Sequence, residues 1–594
     1  MDREPRYLIT SSDERTWKFD RPVIFLGQWC LKHDRKLVWQ NMDAILAKPY
    51  GLGQLNKDKD CSQARSLETL LFRVLFRSLN QHHDLCHGER FWRIVLGHWV
   101  RRYVDVMLNR IKTLEKCFEE HTILGTTVIK NEHYALGALD SGSAIWAFNN
   151  DRWNLALTAR LLNLLDVAKC PVESIPGCKS VGFRFNLLLG TVTLRKRFLR
   201  WGRRQLSTLL SLLSRESDAF IFNSYLPKKV EIKLQLSLGQ VPQLWASPKI
   251  EVSDKYDGEL RTILAKKIER NSGNNLEDIL FAMVFELLPV CFLEGLDQLT
   301  LLAKQQSWPK HPKFIFTSNS FDEDEVFKLW AATQTEAGTK YIVGQHGNNY
   351  GTYRYMFPSV EEATSDKFLT WGWDDGLPAH TPTFIFKMAD VKGKIYFPKG
   401  DLLLIQDMYY HRIDTWDRTA EHVKYFEDQV EFVKRLSKDP LDHLTVRLHG
   451  SYRHTNPFEK EAWNQTNPTV KVDAGNANIR ELIGGSRLVV HAFDSTGILE
   501  TLSQDIPTLA FWANGLDHLR ESAKPYYQLL VDVGIVHLTP ESAAQKVNEI
   551  WGDVDSWWEQ SEVQAARNLF CKRYAKVSEN SVRDLKDVLT ASSW

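Results

Sequence analysis

Cysteine is scarce in this chain of 594 residues, and the few cysteines are scattered. The eight positions are 30, 61, 86, 117, 170, 178, 291 and 571, and no two of them form a Cys-x-x-Cys pair. This spacing argues against a disulfide framework and against a cysteine-based metal site, and it favours a reducing compartment.

Long apolar segments are lacking as well. No run approaches the roughly 20 apolar residues that are needed to cross a bilayer. The first residues, MDREPRYLITSSDERTW, are too polar for a signal peptide. We therefore expect a cytoplasmic protein.

The chain also lacks an excess of charge of either sign. It carries 75 Lys and Arg against 74 Asp and Glu, a net charge of +1, so we expect no nucleic acid as a partner. The local exception is segment 191–215, in which six basic residues between Arg195 and Arg204 precede an apolar tail. Such a helix can rest on the inner face of the cytoplasmic membrane or on an acidic, lipid-linked acceptor. It also fits a solvated basic face on a packed helix.

The second half of the chain alternates short apolar strands with helices. A buried strand over residues 488–493 is followed by Asp494, Ser495 and Thr496, and then by a helix with one apolar face and another strand. A helix start that offers hydroxyl and backbone N–H groups binds anions readily. Glu500 lies one turn further on, where it could accept hydrogen bonds from sugar hydroxyls. The same residues also fit an ordinary crossover whose Ser and Thr only cap the helix.

Two further polar loops follow predicted parallel strands. The first contains Gln345, His346, Gly347 and Asn348. Its glycine allows close approach of the backbone to a ligand, and its imidazole can exchange protons near neutral pH. The second contains Arg447, His449, Gly450 and Arg453. Its guanidinium and imidazole groups suit a phosphate. Because the carboxyl ends of parallel strands bind ligands, we expect these loops to face a cleft between two domains.

The first half is harder to interpret. Residues 65–120 have apolar residues at helical spacing and are predicted to be mostly helical. Asp151 either contacts a substrate or begins a helix, and the helix start is favoured. The acids at 322–324 are stabilised by the dipole of the helix that they begin, so we predict no metal site there.

Several of these segments together resemble a known family. The blocks are SNSFDEDEVFKLWAA, AGTKYIVGQHGNNYGT, SDKFLTWGW and RLVVHAFDSTGILETLSQDIPTLAFW. They resemble the surface-carbohydrate transferases of leptospiral and other bacterial O-antigen loci, and the resemblance extends across the chain. It is strongest over 313–373 and 486–570.

The resemblance implies an α/β, GT-B-like fold, in which two Rossmann-like domains face a cleft. The domains would be 1–375, with a helical insertion at about 65–215, and 376–594. A nucleotide-sugar donor would bind in the cleft, and the acceptor would be a glycan or a lipid-linked glycan. No cofactor and no metal ion are expected.

The implied roles are specific. Arg447, His449, Gly450, Arg453, Asp494, Ser495, Thr496 and Glu500 would bind the donor nucleotide, and Gln345, Gly347 and Asn348 would form a substrate loop. His346 is the candidate catalytic base, and Asp and Glu residues of the N-terminal half, including Asp151, are the alternatives. The loops at 447–453 and 494–496 are also distantly similar to those of transferases that use CMP-activated Kdo or sialic acid. We therefore expect a CMP-ulosonate donor, although His449-Gly450 stands where those enzymes have His-Pro.

Two alternatives remain open at this point. The Gln-His-Gly loop also resembles one in enzymes that transfer polyol phosphates from CDP-polyols. A non-catalytic carbohydrate-binding assembly protein with the same fold is the other alternative, and it predicts glycan binding without nucleotide binding.

Overall fold

The computed structural model describes residues 4–130, 135–165, 170–176, 213–248, 256–268, 275–391, 396–408, 424–513 and 515–591. The described residues form three parallel β-sheets in three consecutive units of the chain. We call these the N-terminal unit (4–176), the central unit (213–391) and the C-terminal unit (396–591). Residues 191–212 of the basic segment lie outside the described residues, so its membrane contact stays a prediction.

The N-terminal unit is built on five strands in the order β3-β2-β1-β4-β5. The strands are β1 (Arg6–Ile9), β2 (Val23–Phe25), β3 (Ala44–Leu46), β4 (Ile123–Lys130) and β5 (Val172–Pro176). The helices are α1 (Lys36–Trp39), α2 (Gln54–His82), α3 (Glu89–Glu120), α4 (Ser141–Asn149) and α5 (Asp151–Leu164). Short 3₁₀ turns span Glu14–Thr16, Gln28–Cys30 and His33–Arg35.

The central unit has a second five-stranded sheet in the order β10-β9-β8-β7-β6. The strands are β6 (Phe220–Phe222), β7 (Phe314–Thr317), β8 (Lys340–Gly344), β9 (Lys367–Thr370) and β10 (His380–Pro382). The helices are α6 (Lys228–Ser237), α7 (Gly258–Ile268), α8 (Leu276–Leu287), α9 (Leu296–Lys304), α10 (Ser320–Glu323), α11 (Glu325–Glu336) and α12 (Val360–Thr364). Val290–Phe292 and Phe386–Met388 are 3₁₀ turns.

The C-terminal unit has a six-stranded sheet in the order β13-β12-β11-β14-β15-β16. The strands are β11 (Asp401–Ile405), β12 (Leu444–Arg447), β13 (Lys471–Asp473), β14 (Ser486–His491), β15 (Thr508–Phe511) and β16 (Val536–His537). The helices are α13 (Tyr425–Arg435), α14 (Lys438–Asp442), α15 (Tyr452–Thr455), α16 (Glu459–Thr466), α17 (Ile479–Gly484), α18 (Thr496–Ser503), α19 (Lys524–Asp532), α20 (Pro540–Ile550), α21 (Val554–Trp558), α22 (Ser561–Tyr574) and α23 (Ser581–Thr590).

Helix α3 joins the N-terminal and central units. Its first half packs on the central unit so closely that a Cβ at Gly97 would lie 2.6 Å from Val360 Cγ1. In the same half, the Tyr103 hydroxyl donates to the Leu280 carbonyl oxygen at 2.7 Å. Its second half returns to the N-terminal unit, where Arg110 Nε donates to Asn154 Oδ1 at 2.9 Å. A single helix therefore belongs to the cores of both units.

The central and C-terminal units are also connected. Arg354 N–H donates to the His518 carbonyl oxygen at 3.0 Å, and Arg520 N–H donates to the Thr352 carbonyl oxygen at 2.7 Å. The last helix, α23, returns to the central unit and buries Leu585 in the core formed by β6 and α6. The sheets are thus held together by backbone bonds as well as by apolar packing.

The predicted α/β class is confirmed, because every sheet consists of parallel strands flanked by helices. The central and C-terminal units are the two Rossmann-like units that face a cleft, as the GT-B-like prediction requires. Of the N-terminal sheet, only β2 was predicted, within the apolar run at 22–30. Within the predicted helical insertion, α2 and α3 are long helices as expected, but β4 and β5 also lie there. Residue 375 precedes β10, which still belongs to the central sheet.

Candidate active site

A cleft of about 590 Å³ lies where the three units meet. The N-terminal unit contributes residues that include Arg65, Arg101, Arg102 and Trp146. The central unit contributes Glu323, Asn348, Asn349, Tyr353 and Tyr355, and the C-terminal unit contributes residues that include Asp407, Asp428, His449, Asp494, Ser495, Thr496 and Trp512. The cleft is therefore closed on one side by the unit that sequence reasoning did not identify.

The loops that follow β8 and β14 touch each other across the cleft. Asn348 N–H donates to Thr496 Oγ1 at 3.0 Å, and Asn348 Nδ2 donates to Asp494 Oδ1 at 2.7 Å. Gly347 has no side chain to obstruct this approach, and a Cβ at that position would lie 2.9 Å from Thr496 Oγ1. The requirement for glycine in this loop thus comes from contact between two units.

The approach of these loops can be tested by replacing Gly347 with Ala. We expect the free energy of unfolding to fall by about 1–2 kcal/mol, because the new methyl group overpacks against Thr496. In a double-mutant cycle with Thr496→Ala, measured by urea unfolding, we expect a coupling of at least about 0.5 kcal/mol. Strictly additive losses would show that the loops are apart in solution. Gly552→Ala is the control, since a Cβ there meets no atom within 4 Å.

Asp494 makes several of the hydrogen bonds that hold the two loops together. Its side chain is buried and accepts a hydrogen bond from Tyr527 Oη at 3.1 Å in addition to the bond from Asn348. His518 Nε2 lies 3.1 Å from the other carboxylate oxygen. These contacts hold the two loops together, and Asp494 also lines the cleft, so its role as a ligand contact stays a prediction.

The start of α18 offers polar groups to the cleft. Ser495 is the N-cap residue of this helix, but its side chain makes no capping hydrogen bond. The hydroxyl group and the first N–H groups of the helix therefore remain as donors at the positive end of the helix dipole. Such a helix start favours the binding of a phosphate.

His449 lies on the same wall as a neutral donor. Its Nδ1 accepts a hydrogen bond from Ser451 N–H at 3.2 Å, which leaves the ring hydrogen on Nε2. Burial lowers the pKa of His449, and the charge of Arg447 adds to this effect. His449 and the start of α18 together form a set of N–H and O–H donors on the C-terminal wall.

Other predicted donor ligands do not line the cleft. Arg447 is engaged by Asp473 on the neighbouring strand and by the Ala477 carbonyl oxygen at 3.0 Å. Arg453 is exposed and donates to Tyr452 Oη at 3.3 Å. The remaining two are Gly450, which is next to His449, and Glu500, which forms an ion pair with Lys387 at 3.3 Å. The charges of Asp473 and Lys387 explain why Arg447 and Glu500 point away from the cleft.

The side-chain amide of Gln345 forms its hydrogen bonds within the protein. Its Oε1 accepts hydrogen bonds from Trp371 N–H and Trp373 Nε1–H, both at 2.9 Å. Its Nε2 donates to the Gly347 carbonyl oxygen at 2.8 Å. The side chain is buried, so it shapes the substrate loop and does not face a ligand.

The two predicted bases also lie away from the cleft lining. His346 Nδ1 is 3.0 Å from Tyr350 Oη, its ring packs against Tyr225 and Phe321, and burial lowers its pKa. Asp151 begins α5 and accepts hydrogen bonds from Ser11 Oγ and Ser12 N–H at 2.9 and 3.0 Å. Asp151 is thus a helix-start residue that fixes the loop after β1.

Glu323 and Arg102 are among the cleft residues that the sequence analysis did not assign to the site. Arg102 donates to both oxygens of Asp322, at 2.6 and 2.5 Å. Burial opposes the charge of Asp322, but the guanidinium outweighs it and lowers the pKa of Asp322. Burial, and then the charge of Asp322, raises the pKa of the neighbouring Glu323. The acidic triplet at 322–324 was the available signal, and only Asp324 serves as a cap, for Phe327 N–H.

Two Rossmann-like units that face a ligand-sized cleft define an α/β protein of GT-B-like architecture. The chain belongs to the LIC12162 family of transferases, because the model of that family matches residues 6–589. None of the curated proteins matches the chain. None of the helices in the described ranges is long and apolar enough to cross a membrane.

Several solved structures are distantly similar. The wall teichoic acid polymerase TagF with CDPG has a TM-score of 0.32 and 13% identity, and the match covers 68% of this chain and 98% of that chain. The spinosyn rhamnosyltransferase SpnG, complexed with spinosyn aglycone, has a TM-score of 0.29 and 10% identity over 78% of this chain and 100% of that chain. A putative UDP-N-acetylglucosamine 2-epimerase from Listeria monocytogenes has a TM-score of 0.32 and 11% identity over 61% and 100%.

Proposed function

We propose that this transferase is a glycosyltransferase, which moves a sugar from a nucleotide-activated donor to a glycan acceptor bound in the cleft. The observation that carries the proposal is the donor-rich C-terminal wall, where Ser495, Thr496 and His449 lie at the carboxyl ends of parallel strands. That edge of the sheet is where open α/β units bind nucleotides.

The C-terminal wall would hold the departing nucleotide. The hydroxyl group of Ser495, the N–H groups at the start of α18 and Nε2–H of His449 are fixed donors. Fixed donors stabilise the negative charge that develops on the leaving phosphate. This arrangement supports a leaving-group role for protein donors, with no divalent metal ion needed in the proposed step.

The donor that we propose is a CMP-activated ulosonate such as CMP-Kdo. The support is the similarity of the loops at 447–453 and 494–496 to those of CMP-dependent transferases, together with the presence of both loops at one cleft. The acceptor that we propose is a surface-polysaccharide precursor, either free or lipid-linked. Aromatic side chains of the other two walls, Trp146 and Tyr353 among them, offer flat faces that suit sugar rings.

Replacing His449 with Ala is expected to weaken nucleotide binding about tenfold, or 1.4 kcal/mol, because one donor to the phosphate is lost. Calorimetric titration with CMP, CDP, UDP and GDP measures this loss and identifies the base. His443→Ala is the matched control, because His443 lies by Asp401 on the outer side of the same unit. Equal affinity of wild type and His449→Ala would overturn the assignment of the donor wall.

The same preparation distinguishes the alternatives when it is given CMP-Kdo, UDP-sugars and CDP-polyols in parallel. Release of CMP from CMP-Kdo with transfer of the sugar supports the proposal. Release of CMP from a CDP-polyol identifies transfer of a polyol phosphate instead. Glycan binding without binding of any nucleotide identifies a non-catalytic protein.

A further inference from the structure

Glycosyl transfer requires a group that accepts the proton of the acceptor hydroxyl. In the described part of the chain, five carboxylates line the cleft: Asp105, Glu323, Asp407, Asp428 and Asp494. A base must be within reach of the acceptor and must have a lone pair that is not already committed. A carboxylate of the cleft must meet both conditions to act as the base.

Three of the five carboxylates are committed to protein groups. Asp494 accepts hydrogen bonds from Asn348 and Tyr527 and lies beside His518. Asp105 is paired with Arg65. Asp407 accepts a hydrogen bond from Met408 N–H at 2.7 Å and interacts with His449 on the wall of the proposed phosphate site. Glu323 and Asp428 remain.

Position separates the last two. Asp428 is on α13 of the C-terminal unit, on the same side of the cleft as the proposed phosphate site. Glu323 is the last residue of α10 in the central unit, across the cleft from that site. In a direct displacement the acceptor attacks from the side opposite the leaving group, so its base belongs on the wall that faces the nucleotide.

We propose that the carboxylate of Glu323 is the catalytic base of this transferase. The assignment rests on the proposed glycosyl transfer and adds to it the group that activates the acceptor. Glu323 lines the cleft and part of its side chain is accessible to solvent, and among the described residues it has neither an ion pair nor a hydrogen-bond partner. Its neighbours Phe321 and Asp322 are held in place, the first by packing against His98 and the second by Arg102.

Glu323 takes part in a single displacement step. The acceptor hydroxyl gives its proton to Glu323, and its oxygen forms a bond to the anomeric carbon of the donor. The bond from that carbon to the phosphate oxygen breaks, and its electron pair stays on the phosphate, which the C-terminal wall binds. Glu323 then releases its proton to water, and the configuration at the anomeric carbon is inverted.

The surroundings of Glu323 raise its pKa, which suits a group that accepts a proton. Burial and the negative charge of Asp322 raise its pKa, with a smaller contribution from Asp140, and the cations Arg102 and Lys328 oppose them. A base is most effective when its pKa lies near the working pH. Because only the ionised form accepts a proton, activity should fall as the pH drops through this raised pKa.

The experiment measures kcat/KM against pH for the wild type and four variants, one of which is Asp428→Asn, with nucleotide release from the donor panel as the readout. Glu323→Gln should lower kcat about 100- to 10,000-fold while CMP affinity stays within about twofold of the wild type. Glu323→Asp should keep part of the activity and the acid limb. Asp322→Asn should move the acid limb to lower pH, because it removes the charge that raises the pKa of Glu323.

Each contrary outcome has a distinct meaning. Activity of Glu323→Gln within tenfold of the wild type would overturn the assignment, as would an acid limb that Asp322→Asn leaves unmoved or a product with retained anomeric configuration. Loss of activity in Asp428→Asn but not in Glu323→Gln would transfer the role to Asp428. A wild type that turns over no nucleotide donor would overturn the proposed function itself. If Glu323→Gln does not fold, the Glu323→Asp and Asp322→Asn profiles still decide the question.

Discussion

Asp494→Ala is expected to lose about 3 kcal/mol of folding free energy and most of its nucleotide affinity. The carboxylate accepts hydrogen bonds from Asn348 and Tyr527 and lies within hydrogen-bond distance of His518. Removing it leaves buried donors without a partner, at about 1–3 kcal/mol for each group that cannot relax. Toward the loop at 494–496, Asn348 then keeps only its backbone hydrogen bond to Thr496, so we expect the helix start that would receive the phosphate to shift as well.

Urea unfolding and calorimetric titration with CMP measure the two effects of this change. Asp494→Asn should be intermediate, since one amide oxygen can still accept from Asn348 and Tyr527. Asp532→Ala is the control, because this exposed aspartate of the same unit should change stability by no more than about 0.5 kcal/mol. A loss below 1 kcal/mol in Asp494→Ala would contradict the role of Asp494 as an anchor.

Lys328→Met should produce a comparable or larger loss of stability, about 3–5 kcal/mol. Lys328 and Glu325 form an ion pair at 2.7 Å, and both side chains are 0% exposed. Breaking such a pair leaves an uncompensated charge in the interior. The pair also links two units, because Glu325 Oε1 accepts from Ser141 N–H of the N-terminal unit at 2.9 Å.

The loss in Lys328→Met should depend on pH. Burial raises the pKa of Glu325 and the charge of Lys328 lowers it. The pKa therefore rises further in Lys328→Met, and the folded variant binds a proton that its unfolded chain releases. Stability therefore falls as the pH rises from the unfolded pKa to the folded one, and the deficit should be smaller at pH 5 than at pH 8. Adding Glu325→Gln should recover part of the loss, and Lys313→Met, at an exposed lysine, should be near neutral. A deficit independent of pH would contradict a buried charge as its cause.

The sequence predicted the elements around the cleft well where apolar patterns and caps act locally. The strand predicted at 488–493 is Ser486–His491, and the helix predicted after Ser495 begins at Thr496. Both follow from short-range rules, namely a buried run and a capping residue. The loop at 345–348 and the loop at 494–496 were expected to be opposite walls, and the structure brings them into direct contact.

Pairing between residues that are distant in sequence explains the predicted site residues that do not line the cleft. Arg447 was expected to face a phosphate. Its guanidinium instead donates to Asp473, which is 26 residues away on the adjacent strand. Glu500 was expected at a ribose and is paired with Lys387, 113 residues earlier. No local pattern contains such pairings. In the N-terminal sheet the sequence predicted only β2, which lies within the apolar run at 22–30. Strands β1 and β3 have four and three residues, too few to show a periodic pattern.

Helix α3 sets a limit on how this protein can be shortened. Its 32 residues make a rod of about 48 Å, and its first half is part of the central unit's interior. A chain that began at residue 213 would keep both facing sheets, yet it would expose to water the apolar surface that Trp99 and Tyr103 now cover. Such a fragment should aggregate during expression, so binding studies on the nucleotide wall call for the intact polypeptide.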